Sequence, residues 1–196
     1  LSEEKRARIP ALIKKLASDG HHTPFEKGQL HFLVNCDIAS HIHLLKHRIS
    51  SLNAESARYK ELKEDKYYLP DDWLSLDEDG VTKEEYRVSV YSWAGVLEEY
   101  TKDGNQLYHK CLEELTPILG RKRAKESARY FKTYNSQIQA DVMFNWRSFV
   151  NFQNLRNSKS AQKEIQDIAQ QMLQLVRDIP DNPFQHTIDA FFSKDV

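Results

Sequence analysis

The sequence predicts an α+β fold, formed as a single helix-rich domain over residues 1–196. Two observations support this prediction. One segment alternates apolar and polar residues with a period of two, and most other segments repeat their apolar residues every three to four positions. A chain of 196 residues suffices for one such domain, because a chain of this size buries about 70% of its unfolded surface.

Composition and charge exclude several classes of protein. The net charge of −1 provides no overall positive field for binding nucleic acid. Two cysteines, Cys36 and Cys111, cannot build a disulfide framework, and they indicate reduced thiols. The apolar runs are too short to span a membrane, and no secretory signal is visible. We therefore expect a cytoplasmic protein (in the host cytoplasm if the source is viral), bound neither to nucleic acid nor to a membrane.

The first quarter of the chain is predicted as helix, turn, strand and helix. Residues 3–19 carry apolar residues at helical spacing and end at Gly20, which tolerates a left-handed backbone. A polar turn over 21–24 follows, and residues 29–36 alternate as a half-buried strand does. Asp37 is placed to cap a short helix. The inward face of that helix is expected to hold Ile38, Ile42 and Leu45.

The middle of the chain is predicted as an irregular segment and one long helix. Residues 48–82 have no regular period, whereas the following stretch is helical up to an expected stop at Pro117. The stripe that this helix is expected to bury consists of Val90, Trp93, Ala94, Leu97, Tyr100, Leu107, Cys111 and Leu115.

The last third is predicted to be mainly helical. A short helix over 121–130 precedes a second strand region over 133–144. Three further helices are expected over 145–156, 160–179 and 184–192. The helix over 160–179 has the most regular apolar stripe in the chain.

The histidines are candidate metal ligands. His43 and His47 are four residues apart, on one face if both are helical, and this spacing can bind zinc. Leu44, however, stands where the catalytic zinc motif has a Glu, and no third ligand has a suitable spacing. We expect no metal site.

Two segments carry chemistry that suits a nucleotide. There is no glycine-rich phosphate loop, so any phosphate must be held by side chains. Lys46, His47 and Arg48 form a basic group that suits an anion, although an ordinary solvated turn is the alternative. The segment 145–156 interleaves amides and guanidinium groups with Phe149 and Phe152. It suits a flat heteroaromatic ligand, or equally a buried polar network between helices.

Together these segments resemble the flavin-dependent thymidylate synthases. The family signature is Arg-His-Arg, seven residues and then Ser; here it is Lys46-His47-Arg48, seven residues and Ser56, followed by Arg58-Tyr59. Three further blocks match in order and spacing. They are His21-x-Thr23-Pro24-Phe25-Glu26, Glu126-x-Ala128-Arg129, and Asn145-x-Arg147-Ser148 running through Asn151-Phe152, Leu155-Arg156 and Ala161-Gln162-x-Glu164-Ile165.

The resemblance implies a fold, a reaction and an assembly. The fold is that of the thymidylate synthase-complementing proteins, with an antiparallel sheet and a further N-terminal strand that this sequence does not contain. The reaction is the reductive methylation of dUMP to dTMP. Its cofactors are FAD, NADPH as the reductant of the flavin, and 5,10-methylenetetrahydrofolate as the carbon donor. The assembly is a homotetramer whose active sites are shared between subunits.

The resemblance also implies roles for individual residues. Arg156 matches the arginine that contacts and polarises the uracil, and it is the expected catalytic residue. The expected dUMP-binding residues are His43, Lys46, Glu55, Ser56, Ala57, Arg58, Arg129 and Arg156. The expected FAD-binding residues are His21, Thr23, Lys46, His47, Arg48, Asn145, Arg147 and Asn151.

Four positions depart from the family pattern. Lys46 replaces the first signature Arg, His43 stands where Gln is frequent, Ala54 stands where many relatives have Glu, and Ser160 replaces a common His. Because these positions surround the nucleotide and the flavin, two alternatives stay open. One is an enzyme that hydroxymethylates C5 or accepts another pyrimidine nucleotide. The other is a non-catalytic protein that binds nucleotides or nucleic acid.

Overall fold

The computed structural model describes residues 2–56, 58–75 and 84–193, and their side chains except those of 74–75 and 84–92. It confirms an α+β fold in which three antiparallel strands pair in the order β1-β3-β2. The strands are β1 (Gln29–Asp37), β2 (Ser51–Ala54) and β3 (Gln137–Asn145). The helices are α1 (Glu3–Ala7), α2 (Ile9–Ser18), α3 (Ile38–Leu45), α4 (Asp71–Ser75), α5 (Glu84–Leu119), α6 (Arg121–Ala128), α7 (Trp146–Arg156), α8 (Lys163–Arg177) and α9 (Gln185–Phe192), with 3₁₀ helices at Thr23–Glu26 and Arg129–Phe131.

The helix predicted over 3–19 is in fact two helices. The chain leaves α1 and enters α2 at Arg8, and Pro10 occupies the first turn of α2. Proline lacks an amide hydrogen and its ring clashes with the carbonyl four residues earlier, so Pro10 favours the start of a new helix over the continuation of α1. The predicted end is confirmed, because Gly20 has a φ of +73°.

The strand prediction is confirmed, but the next helix buries a different face. Alternate residues of β1 are buried from Leu30 to Cys36. Asp37 caps the following helix, since its Oδ1 accepts a hydrogen bond from the Ser40 amide at 2.8 Å. The expected inward residues Ile42 and Leu45 are exposed, whereas Ser40 and Leu44 are fully buried.

The segment predicted as irregular contains two regular elements. Strand β2 and helix α4 both lie within 48–82, and Tyr67 also forms an isolated bridge with Ser136. The part of the prediction that covers Ala57 and 76–82 lies outside the described residues.

The long helix is confirmed, but its end and its buried stripe differ from the prediction. Helix α5 continues through Pro117 to Leu119, and the chain turns at Gly120 with a φ of +77°. Ala94 is buried as predicted, and Val90 lies outside the described side chains. The expected inward residues Trp93, Tyr100 and Leu107 are exposed, and the buried positions include Thr101, Asn105, Tyr108 and Leu112.

The elements of the last third are confirmed within a few residues of their predicted bounds. Helix α6 with the 3₁₀ helix Arg129–Phe131 corresponds to 121–130, and β3 to 133–144. Helices α7, α8 and α9 correspond to 145–156, 160–179 and 184–192. Among the described residues, no helix is long and apolar enough to cross a bilayer.

The chain divides into two compact units. The first comprises 1–34, 43–52 and 141–196, and its core is rich in aromatic rings. Phe32 stacks on Phe149 at 5.6 Å, and Phe144 lies 5.2 Å from Phe152. This packing fixes α7 against the strands and therefore fixes which of its side chains remain on the outside.

The second unit comprises 35–42 and 53–140, and α5 and α6 form its centre. Its main apolar cluster is buried between these helices and consists of Tyr108, Leu112, Ala124 and Ala128. Beside it, the almost completely buried Lys132 donates to Asp65 at 2.6 Å and to Asn105 at 2.7 Å. Polar residues of α5 can thus be buried because residues distant in sequence form hydrogen bonds with them.

Candidate functional site

Helix α7 positions the polar side chains of the first unit. Its N-terminus is capped by Asn145, whose Oδ1 accepts a hydrogen bond from the Ser148 amide at 2.9 Å. Phe149 and Phe152 are fully buried in the core, so they cannot flank a ligand as their interleaving with polar residues suggested. The core packing of the two rings leaves the opposite, polar stripe of the helix to face a cavity.

The cavity beside α7 has a volume of about 740 Å³, within the range of roughly 300–1,000 Å³ typical of small-molecule sites. All of its lining residues belong to the first unit. The predicted site residues that line this α7 cavity are Lys46, His47, Arg48, Asn145, Arg147, Asn151 and Arg156. Four cationic side chains and two amides therefore share one concave surface, which suits an anionic ligand with a polar heterocycle.

The α7 cavity also includes residues that sequence analysis did not assign to a site. His22 and Glu26 come from the segment around the first 3₁₀ helix, and Phe191 comes from α9. Glu26 Oε1 accepts a hydrogen bond from Arg147 Nη1 at 2.5 Å, across 121 residues of sequence. The match of the 21–26 block to the family pattern was the only sequence signal for this neighbourhood. Nothing in the sequence pointed to Phe191.

Two predicted flavin contacts are sequence neighbours of the lining residue His22 but do not line the cavity themselves. His21 and Thr23 are exposed, whereas their neighbour His22 is half-buried and lines the wall. The predicted roles of His21 and Thr23 stay predictions.

Arg156 and His47 are directly bonded at the end of α7. Arg156 Nε donates a hydrogen bond to His47 Nε2 at 3.0 Å. Burial, followed by the positive charges of Arg156 and His43, lowers the pKa of His47 below its ordinary value. The imidazole is therefore neutral at pH 7, as an acceptor nitrogen must be.

His43 and His47 do not share a helix face. Helix α3 ends at Leu45, so His47 lies in the following loop. His43 instead makes a 3.1 Å hydrogen bond with Gln162 Oε1 through its Nε2 atom. In the part of the chain that the structure describes, no three His, Cys, Asp or Glu side chains are grouped to hold a metal ion.

Gly28 allows α7 to begin where it does. The Trp146 amide donates to the Gly28 carbonyl at 3.2 Å. A Cβ at position 28 would lie 2.7 Å from the Trp146 ring and 3.3 Å from that of Phe184. Only glycine permits this approach, and it places the first turn of α7 beside the cavity.

The second unit holds the residues predicted to bind the nucleotide phosphate. Ser56 Oγ accepts a hydrogen bond from the Arg58 amide at 3.3 Å, which stabilises the turn that follows β2. The Arg58 guanidinium forms an ion pair with Glu126 through Nε, so its two terminal amino groups remain for a ligand. Ala57 lies outside the described residues.

The remaining nucleotide candidates of this unit are arranged separately. Glu55 forms an ion pair with Lys60, and both line a second cavity of about 580 Å³. Arg129 is exposed at the start of its 3₁₀ helix. Arg58 and Arg129 do not line this second cavity. Its wall holds four lysines, of which Lys60, Lys66 and Lys132 are paired with carboxylates and Lys63 is the fourth.

Comparison with known proteins identifies similar chains. A family model described as thymidylate synthase complementing protein matches residues 1–180. A protein of Pseudothermotoga lettingae named flavin-dependent thymidylate synthase is 32% identical over 91% of this chain and 74% of its own length. Proteins with the same name are 35% identical in Thermosipho melanesiensis (81% of this chain, 67% of theirs) and 29% identical in Clostridium tetani (95% and 72%).

Proposed function

The chain belongs to the thymidylate synthase complementing protein family, and on that premise we propose that it is a flavin-dependent thymidylate synthase that methylates dUMP to dTMP. Its carbon donor is 5,10-methylenetetrahydrofolate, and its hydride comes from FAD reduced by NADPH. The observation that carries this proposal is the α7 cavity, which gathers six of the eight predicted flavin-binding residues on one surface.

The side chains of the α7 cavity fit FAD. A dinucleotide carries phosphates, which Lys46, Arg48 and Arg147 are suited to bind in the absence of a glycine-rich loop. The amides of Asn145 and Asn151 can pair with the edge of a flat heterocycle. When bound, the reduced flavin supplies the hydride that completes the methyl group, and the protein supplies positioning and charge.

Arg156 is proposed to stabilise charge on the pyrimidine. C5 must act as a nucleophile toward the carbon donor, and the negative charge that develops on the uracil carbonyls as C5 is activated or loses its proton would be stabilised by a guanidinium donor beside them. The Arg156 Nε atom is already used by His47, which leaves the two terminal amino groups for the substrate. This division of donors supports the role of Arg156 as the catalytic residue.

The phosphate of dUMP is proposed to bind Ser56, Arg58 and Arg129. Arg58 has the planar fork that binds phosphate in a bidentate way, and its Nε is fixed by Glu126. His43, Lys46, Glu55 and Ala57 complete the proposed nucleotide set by family resemblance.

We propose a homotetramer with shared active sites, in the cytoplasm. One exposed stripe of α5 supports self-association, because Trp93, Val96, Tyr100 and Leu107 share a helix face and are 47 to 64% exposed. Light scattering tests this assembly, and a stable monomer would contradict it.

The reaction is tested with the purified protein. It should be yellow, should bleach on addition of NADPH, and should convert dUMP to a product of the mass of dTMP only when methylenetetrahydrofolate is present. A product heavier by one oxygen would indicate hydroxymethylation. A colourless protein whose affinity for single-stranded nucleic acid falls steeply with salt would refute the proposal in favour of a binding protein.

A further inference from the structure

Within the part of the chain that the structure describes, the Arg156 guanidinium donates to one side-chain acceptor, His47. The bond from its Nε to His47 Nε2, 3.0 Å long, joins the last residue of α7 to the loop that follows α3. Nε is bonded to both Cδ and Cζ, whereas the other two guanidinium nitrogens are terminal. A hydrogen bond at Nε therefore fixes the plane of the guanidinium group. The terminal amino groups stay available to a ligand.

The acceptor itself is held in place. The His47 ring lies edge-on to Phe152 at 4.9 Å, and Phe152 is fully buried. Ser50 Oγ donates to the His47 carbonyl oxygen at 2.6 Å. His47 is therefore a preorganised acceptor.

The charges around His47 favour its neutral form. Burial comes first among the causes that lower its pKa, followed by the positive charges of Arg156, which is bonded to it, and of His43. Lys46, Arg48 and Arg147 add positive charge along the same cavity. Glu26, the one carboxylate among the described residues that line it, is bonded to Arg147 at 2.5 Å.

We infer that His47 is a positioning residue for Arg156: its neutral imidazole holds the guanidinium by Nε, and protonation of His47 releases it. A protonated imidazole has no lone pair at Nε2 and repels the guanidinium, so the bond cannot survive the change. Once released, Arg156 would no longer be oriented toward its ligand, and the identity of that ligand rests on the proposed function. The coupling of the two side chains does not.

The coupling is tested by NMR on the ¹⁵N-labelled holoprotein, which requires no turnover. The His47 ring nitrogens should report an Nδ1–H tautomer at pH 8. The Arg156 Nε–H signal should stay protected from exchange until His47 titrates and should weaken together with that titration. Independent behaviour of the two signals, or an Nε2–H tautomer, would overturn the inference.

Kinetics of two variants provide the second test. His47→Gln keeps an acceptor that does not titrate, so its kcat should fall less than that of His47→Phe and the acid limb that His47 causes in the pH profile should disappear. His47→Phe removes the acceptor and should lower kcat roughly 10- to 150-fold, the equivalent of one charge-assisted hydrogen bond. The matched control is His186→Gln, at an exposed histidine of α9, which should change neither quantity.

The outcomes separate the two proposals. Equal kcat losses in His47→Gln and His47→Phe would overturn the positioning role even if dTMP is formed. Coupled NMR titration without formation of dTMP would refute the proposed reaction and leave the coupling intact.

Discussion

Gly104→Ala is expected to weaken both the second unit and the nucleotide site proposed for it. Gly104 lies in α5 against the 3₁₀ helix that begins with Arg129, and an added Cβ would lie 2.6 Å from the Phe131 carbonyl oxygen. Ordinary contacts begin near 3.4 Å, so the backbone that carries Arg129 must move by about 0.8 Å. Overpacking of this kind costs about 1–3 kcal/mol, and alanine in a helix returns about 0.5–1 kcal/mol. The net loss of unfolding free energy should therefore lie between about 0 and 2.5 kcal/mol.

Gly95→Ala is the matched control in the same helix. Among the described residues, nothing lies within 4 Å of its added Cβ, so only the helix propensity changes, and stability should rise by about 0.5–1 kcal/mol. Urea unfolding followed by circular dichroism measures both variants, and calorimetry measures dUMP binding. Gly104→Ala should weaken dUMP binding by up to tenfold at unchanged flavin content, because Arg129 is displaced. If both variants gain stability alike, Phe131 does not pack against α5 as described.

Four further results are expected. Arg156→Ala should lower turnover about 100-fold or more at normal flavin content, as loss of a donor to a developing anion does; near-normal turnover would contradict its catalytic role. Arg58→Ala should raise the Kd for dUMP about 10- to 150-fold without changing FAD affinity, and exposed Arg8→Ala should change neither. The pKa of His47 is lower in the folded chain than in the unfolded chain, so the unfolded chain takes up the proton at a higher pH. The free energy of unfolding in urea should therefore decline as pH falls below about 6.5, and it should decline less in His47→Gln. Burial, with the charge of Asp37, raises the pKa of Cys36 to about 12, so this thiol should react with disulfide reagents at pH 8 only after unfolding.

The sequence predicted elements well where the local pattern and the buried face coincide. Strand β1 alternates because one of its faces is buried, and α7 begins at Asn145 because an amide oxygen there caps the helix. The polar stripe of α7 was likewise predictable, since helical spacing places Arg147, Asn151 and Asn154 on one side.

Burial that depends on distant residues could not be predicted. Asn105 is buried on α5 because Lys132 reaches it, whereas Trp93 on the same helix is exposed. Helix α3 is only two turns long, so its spacing does not determine whether Ile42 or Leu44 faces inward.

The same limit applies to the site. Glu26 joins the α7 cavity through Arg147, and Phe191 enters it from α9, and local spacing signals neither contact. The sequence predicted which residue types form the basic triplet and the amide stripe. That both line one cavity could be seen only in the folded structure.

The close approach at Gly28 has a consequence for interpreting genetic variation. A methyl group there would overlap the indole of Trp146, so the opening turn of its helix, which carries the cavity residues Asn145 and Arg147, would have to shift. Under the flavin-binding role proposed for this cavity, a missense change at this codon should therefore lower the flavin content, although position 28 itself does not line the cavity. In a growth selection without thymidine, codon 28 should be as intolerant as those of the cavity arginines, and extra riboflavin in the medium should restore growth only in part.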